Sequence, residues 1–375
     1  MPSSITVLLV SSSYPQSAED WKSIFIRQFL YALSDKINIK INYWGPPGPL
    51  PKNVFYACLP QEGARLSHLM SNSGIIHLFR QRKAQFIPAI INLLISLNRT
   101  YRRQKGINIF HVNWLQNALP LWGTRHPAVI SVLGSDLGLL KLPGMTWLLR
   151  QVIKKRQCVL APNAEWMETI LVKKFGDIAR VVFIPLGIDK KWYEVQRDYE
   201  NISPRIWLAI SRLTQKKIGH LLAWGEKKFN MGSGHQLHLF GPMQEEVLLP
   251  EWVFYHGPTH AQDLLENWFP KATGLVTLSQ HDEGRPQVIL EAMAAGISII
   301  ASRIPAHENF ISHRKTGWLS SSEEEFFEGI DWVSVPENNK NIAAEAKRWV
   351  SREIGTWSDC VEKYSAVYSS LLLRE

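Results

Sequence analysis

The chain has 375 residues, long for a single core, so two domains of ordinary size are expected. A hydrophobic share of 45% with a mean hydropathy of −0.12 and no long low-complexity tract describes a folded, soluble protein and excludes a disordered one. The net charge of +9 is uneven: residues 1–200 carry 25 Lys and Arg against 12 Asp and Glu, while the remainder carries 17 against 21, which implies an anionic partner for the first half, nucleic acid or a membrane surface.

The opening "MPSSITVLLVSSSYP" has no basic n-region and only a short apolar run, so it reads as a first strand rather than a signal peptide. "FIRQFLYALS" then has helical spacing, and "INIFHVNW", "AVISVLGSD" and "CVLAPN" are further β-rich runs, a rhythm of βαβ units around a parallel sheet. Between Glu62 and Asp136 there is no carboxylate but nine basic residues: Arg65, Arg80, Arg82, Lys83, Arg99, Arg102, Arg103, Lys105 and Arg125. Within that stretch, apolar residues at 87, 90, 91, 94, 97 and 101 form a helical stripe flanked by "RQRK" and "RTYRRQK". Such a helix either packs on the core with a solvated basic back or lies on anionic lipid, and the unbroken positive charge favours lipid. The longest apolar segment, residues 86–97, is interrupted by Pro88, Asn92 and Ser96 and is shorter than the ~20 residues of a bilayer span.

The polar stretch "QRDYENISPR", residues 196–205, reads as a linker, after which "RIWLAISR", "LHLFGP", "GLVTLS" and "ISIIASR" repeat the βαβ rhythm. The expected organisation is a first Rossmann-like domain over residues 1–195, a second over 205–350, and a final amphipathic helix over 355–375 that packs back on the first. "GSGHQL" precedes a strand rather than following one, so it is a turn and argues against a dinucleotide site. Cys58, Cys158 and Cys360 lie far apart without metal-type spacing, which suits a reducing compartment, and the Asn-x-Ser/Thr matches at Asn98 and Asn201 are taken as chance.

"GLVTLSQHDEGRPQVILEAMAAGISIIAS" parses as strand, loop, helix, strand, with Pro286 at the first helical position and Gly296 just past the end. The first-turn amides near Gln287 and Val288 carry the positive end of the helix dipole and suit a diphosphate. Glu291 lies about 7.5 Å down the axis from Pro286, placed to accept hydrogen bonds from a ribose diol, and Glu283 in the preceding loop faces the group beyond the phosphates. Arg212 and Lys217, after the strand "RIWLA", supply cations for a leaving diphosphate. There is no Asp-x-Asp pair to clamp a metal-bound nucleotide sugar, so no metal and no cofactor are expected.

"EGRPQVILEA" resembles the E-x7-E motif of retaining GT-B glycosyltransferases of family four, with Glu283 and Glu291 at its two glutamates. "SSSYPQSAEDWKSIFIRQFLYAL", "LGSDL", "APNAEWM", "IPLGID", "SRLTQKK", "HLFGP", "FYHGP" and "HRKTGWL" also resemble family segments and occur in the family's order. The resemblance implies an α/β fold of two Rossmann-like doubly wound domains facing a central cleft. It implies a nucleotide-sugar donor held by Glu291, Gly284, Arg285, Pro286, Gln287 and Val288, with Arg212 and Lys217 as the phosphate-binding pair and Glu283 as the donor-sugar contact. Transfer would retain the anomeric configuration without a metal. The family's His-Gly-x-Asp segment reads Leu133, Gly134, Ser135, Asp136 here, so its histidine is absent; Asp136 remains as either a site residue or a helix cap, and His111 is a candidate for the same cleft.

The resulting expectation is a cytoplasmic hexosyltransferase, peripheral on the inner face of the plasma membrane, that acts on a glycan or lipid-linked acceptor in cell-surface polysaccharide or glycolipid synthesis. Nucleic acid is not an expected partner, since no binding module is recognisable. A non-catalytic GT-B protein that binds a glycan or a partner, and a GT-B sugar-nucleotide epimerase, remain as alternatives.

Overall fold

A computed structural model describes residues 4–17, 20, 23–71, 87–199, 203–230, 232–281 and 285–373. The chain divides into two units, Met1–Gly187 with Trp357–Glu375, and Ile188–Thr356.

The first unit is built on seven parallel strands: β1 (Ile5–Val10), β2 (Ile39–Trp44), β3 (Val54–Tyr56), β4 (Ile109–Asn113), β5 (Ala128–Val132), β6 (Cys158–Pro162) and β7 (Arg180–Val181), in the order β3-β2-β1-β4-β5-β6-β7. Val7 stands beside Ile41 on one side and Ile109 on the other. The helices are α1 (Ile24–Ser34), α2 (Pro60–Ser71), α3 (Ile87–Arg103), α4 (Met145–Ile153) and α5 (Glu165–Phe175). Successive side chains of β1 feed opposite faces, Leu8 and Val10 into one core and Val7 and Leu9 into the other, which is why the strand is an unbroken apolar run.

The second unit repeats the plan with β8 (Arg205–Ile210), β9 (His235–Phe240), β10 (Val253–Gly257), β11 (Ala272–Thr277), β12 (Ser298–Ser302) and β13 (Trp318–Ser320), parallel and ordered β10-β9-β8-β11-β12-β13. Its longer helices are α6 (Leu221–Phe229), α7 (Gln287–Ala294), α8 (Glu323–Val333) and α9 (Pro336–Glu353). Both units are doubly wound α/β folds, as the sequence rhythm indicates.

The final helix, α10 (Trp357–Leu372), belongs to the first unit and packs on α1. Its Tyr364 and Tyr368 are among the largest fully buried side chains. The stretch 196–205, expected as a linker, lies inside the second unit. Arg197 Nη1 donates to the Gly296 carbonyl at 2.7 Å, its Nη2 bonds the Ala272 carbonyl, and Tyr199 Oη donates to Gly296 at 2.9 Å, so polar side chains here satisfy carbonyls at strand and helix ends rather than facing water.

Candidate functional site

In the second unit the strand order reverses between β8 and β11, and in open α/β sheets ligands gather beyond the carboxyl ends of strands at such a switch point. Three segments leave the sheet there, after β8, β11 and β12.

After β8 the chain passes Arg212 to a one-turn helix, Gln215–Ile218, whose Lys217 N–H donates to Thr214 Oγ1 at 3.2 Å. Gly219 follows with φ +53°; a Cβ there would lie 1.9 Å from the Leu278 carbonyl oxygen, so only glycine lets this turn press against the end of β11. The Gln280 N–H then donates to the Lys216 carbonyl at 2.8 Å and joins the two loops. Burial, together with the neighbouring Arg212 cation, pushes the Lys217 ammonium down to about 7, so this lysine is poised near neutrality.

After β11 comes the segment that leads into α7. Pro286 is the N-cap in extended conformation, not the first helical residue, so the helix starts one position later than the sequence suggests, and no side chain caps it. It ends where the sequence indicates: Gly296, with φ +73°, donates to the Met293 carbonyl, and Ile297 donates to Ala292. Ile289, Leu290, Ala292, Met293 and Ala294 are buried, whereas Gln287, Val288 and Glu291 are half-buried. Helical spacing sets these three on one face. Arg285 is half-buried ahead of the helix, and Glu283 and Gly284 lie outside the described residues.

The Glu291 carboxyl is pushed up to about 8, first by burial and then by Asp189, whose own carboxylate accepts the Lys191 N–H at 3.0 Å as a helix cap. Sequence reasoning passed over Asp189, although it closes the quoted segment "IPLGID". It also passed over His307, which follows β12. That imidazole is 1% exposed; its Nδ1 meets the Ser302 carbonyl at 2.8 Å and is therefore the protonated nitrogen, which leaves Nε2 as an acceptor without a partner among the described residues. Burial and the Lys217 charge hold the ring neutral. Only its position after a strand of the switch region could have drawn attention to it.

Arg212 and Lys217 thus follow β8, and Arg285, Pro286, Gln287, Val288 and Glu291 follow β11, the two strands on either side of the switch. Asp136 and His111 belong to the first unit. Asp136 is a backbone acceptor: its carboxylate takes the Leu115 and Leu133 N–H groups, each at 3.0 Å, and burial raises it to about 6. It ties the loop after β5 to the 3-10 turn Leu115–Leu121 from within the 3-10 turn Ser135–Lys141, whose N-cap is Gly134. His111, a candidate cleft residue by sequence, is instead a core histidine. It is 1% exposed, stacks on Tyr364 with ring centroids 4.8 Å apart, and bonds Tyr368 Oη through Nδ1 and Ser131 Oγ at 2.8 Å through Nε2. Both ring nitrogens are occupied and the ring is held neutral by burial.

Residues 205–334 match the family described as Glycosyl transferases group 1. The match covers the strands and loops of this switch region. Glycosyltransferase 1 domain-containing protein 1 of Xenopus tropicalis is 30% identical over 137 residues, 34% of this chain and 38% of that protein. The chain spans under two fifths of the curated relatives it matches, at 38% and 23% of their lengths. Among solved structures, sucrose-phosphate synthase from Thermosynechococcus elongatus is similar with a TM-score of 0.72 at 14% identity, covering 99% of this chain and 100% of that one. Anabaena HepE in complex with UDP-glucose has a TM-score of 0.64 at 14% identity, covering 98% and 100%. These likenesses extend over both units and establish the fold as GT-B.

Proposed function

We propose that this protein is a glycosyltransferase that moves a hexose from a nucleoside-diphosphate sugar to a glycan or lipid-linked acceptor, with retention of configuration and without a bound metal, in cell-surface polysaccharide or glycolipid synthesis. One observation carries the reading: an acid whose ionisation is suppressed sits on the open face of the helix beyond the switch strand, with a lysine of equally displaced pKa on the adjoining loop. Displaced acids and bases concentrated at one strand edge mark functional sites more often than structural ones.

In this reading Arg212 and Lys217 receive the diphosphate together with the amino end of α7, and Glu291 grips the ribose diol. The mobile charge of Lys217 then stabilises the departing diphosphate. Glu283 is assigned to the donor sugar from the motif alone. The bound solved relative, HepE with UDP-glucose, supports a nucleotide sugar as the donor class.

Thermal-shift screening against UDP-, GDP- and ADP-glucose tests the donor, since a ligand that binds only the folded state must raise the melting temperature. Turnover in the presence of a chelator and the anomeric configuration of the product test metal independence and retention. Leu133, where the family has histidine, keeps a non-catalytic binding role as the second reading; donor binding without release of nucleoside diphosphate in any acceptor extract would favour it.

A further inference from the structure

The first unit carries a surface that the donor site does not use. On α3 the inner face is Leu93, Leu97, Thr100 and Tyr101, all buried, while Ile91, Ile95, Arg99 and Arg102 are exposed on the outer one, so the apolar stripe is divided, with Leu97 and Tyr101 in the core and Ile91 outward. Asn98 Nδ2 donates to the Pro120 and Trp122 carbonyls at 2.6 and 2.9 Å, and the Arg102 guanidinium lies against Gly123, which fixes Trp122 beside this outer face. Trp122 is 48% exposed, and Lys155 Nζ stands 4.9 Å from its ring centroid. Lys155 in turn follows α4, whose exposed face carries Leu148 and Trp147, the latter 60% exposed. Ile91, Ile95, Trp122, Trp147 and Leu148 are thus exposed apolar side chains carried by α3, the segment after the 3-10 turn and α4, and Arg99, Arg102, Lys154 and Lys155 are exposed cations of the same elements.

Acids are missing from the same surface. Between Glu62 and Glu165 the sequence holds a single carboxylate, Asp136, and that one is buried. Arg103, expected on the basic back of α3, does not contribute: it turns inward to a two-pronged ion pair with Glu62 at 2.6 and 3.0 Å. Arg80, Arg82 and Lys83 lie outside the described residues. Among the described residues no helix is long and apolar enough to cross a membrane.

We infer that the α3–Trp122–α4 surface docks on an anionic lipid bilayer, with Trp122, Trp147 and Leu148 entering the headgroup boundary and the surrounding cations meeting lipid phosphates. Exposed tryptophan and aliphatic side chains gain from burial only where a partner offers an apolar layer, and lipid supplies both that layer and the negative charge. A nucleic-acid duplex satisfies the cations but leaves Ile91, Ile95 and Leu148 in water. The surface is independent of the donor site, so the inference stands or falls without the proposed activity.

Flotation of the full chain with phosphatidylcholine vesicles, with and without phosphatidylglycerol, tests it. The wild-type protein is expected to float only with phosphatidylglycerol and to be released by salt. Lys154→Glu with Lys155→Glu should weaken binding at least about 25-fold, at about fivefold per cation, and Trp147→Glu with Leu148→Glu at least about tenfold. All four side chains are exposed or at the helix edge, so unchanged melting temperatures are expected and separate lost docking from lost folding. Absence of binding to anionic vesicles, or binding unaltered in either variant, overturns the inference. So does equal capture by duplex DNA with sensitivity to the lysine changes alone.

Discussion

Replacing Glu291 by glutamine tests the displaced carboxyl directly. In the unfolded chain a glutamate ionises near the model value of 4.5, while in the fold it holds its proton up to about 8. Between those values unfolding releases a proton, so the stability of the wild-type second unit declines as pH rises and levels off above the folded value. Glutamine keeps the shape and removes this dependence. Each pH unit is worth about 1.4 kcal/mol in full, so from pH 5.5 to 7.5 the variant should gain about 1–3 kcal/mol on the wild type, allowing for the partial access of water to a half-buried side chain. For a unit of this size that is a relative rise of roughly 2–10 °C in melting temperature, read by paired thermal or urea denaturation at the two pH values. Above pH 8, where the wild-type group is ionised, the same variant should bind UDP-glucose at least about tenfold more weakly, because a neutral amide is a poorer acceptor for two ribose hydroxyls than a carboxylate. A melting difference between variant and wild type that is identical at both pH values would refute the buried-acid argument.

Three further outcomes follow from the geometry. Lys217, held at about 7, is largely neutral at pH 8, so inorganic pyrophosphate should bind with proton uptake approaching one per site, measured calorimetrically in buffers of different ionisation enthalpy; Lys217→Met should abolish that uptake, and uptake surviving in the variant would clear Lys217 of the role. Asp136→Ala should cost the first unit about 2–4 kcal/mol through the backbone N–H groups it leaves without an acceptor, while UDP affinity stays unchanged; full stability with lost turnover would instead make Asp136 a site residue. Gly219→Ala sets a Cβ against the Leu278 carbonyl in a left-handed backbone, so a loss of at least about 2 kcal/mol is expected in denaturation, and a neutral result would show that the turn can move.

The central strands were legible because they are buried on both faces: "ITVLLVSS", "INIFHVNW", "AVISVLGSD" and "ISIIASR" contain β1, β4, β5 and β12. The order of the strands was not, since pairing depends on contacts distant in sequence; β2, with its exposed Lys40 between buried neighbours, and the short β3 and β7 lack the continuous apolar signal. Composition misread residues 196–199, because an arginine and a tyrosine that serve buried carbonyls look like a solvated connection. In the proposed site, Glu291 is read from motif spacing, and Arg212 and Lys217 from their place after a strand. His307 and Asp189 act through burial and proximity, which spacing along one segment does not encode. The core place of His111 was illegible for the same reason: its two partners, Ser131 and Tyr368, are supplied by β5 and by a helix more than two hundred residues away.

The return of the last helix to α1 has a consequence for biogenesis. A ribosome delivers residues 1–187 first, yet Phe29, His111 and Ser131 meet Tyr364 or Tyr368 only after residues 188–356 have emerged. Translation proceeds at about 5–20 residues per second, so the nascent first half waits on the order of ten seconds or more with part of its interior open, while the inserted half has all its own strands and can fold at once. The earlier-made half is thus the later to mature, and it is the half that chaperones would be expected to attend.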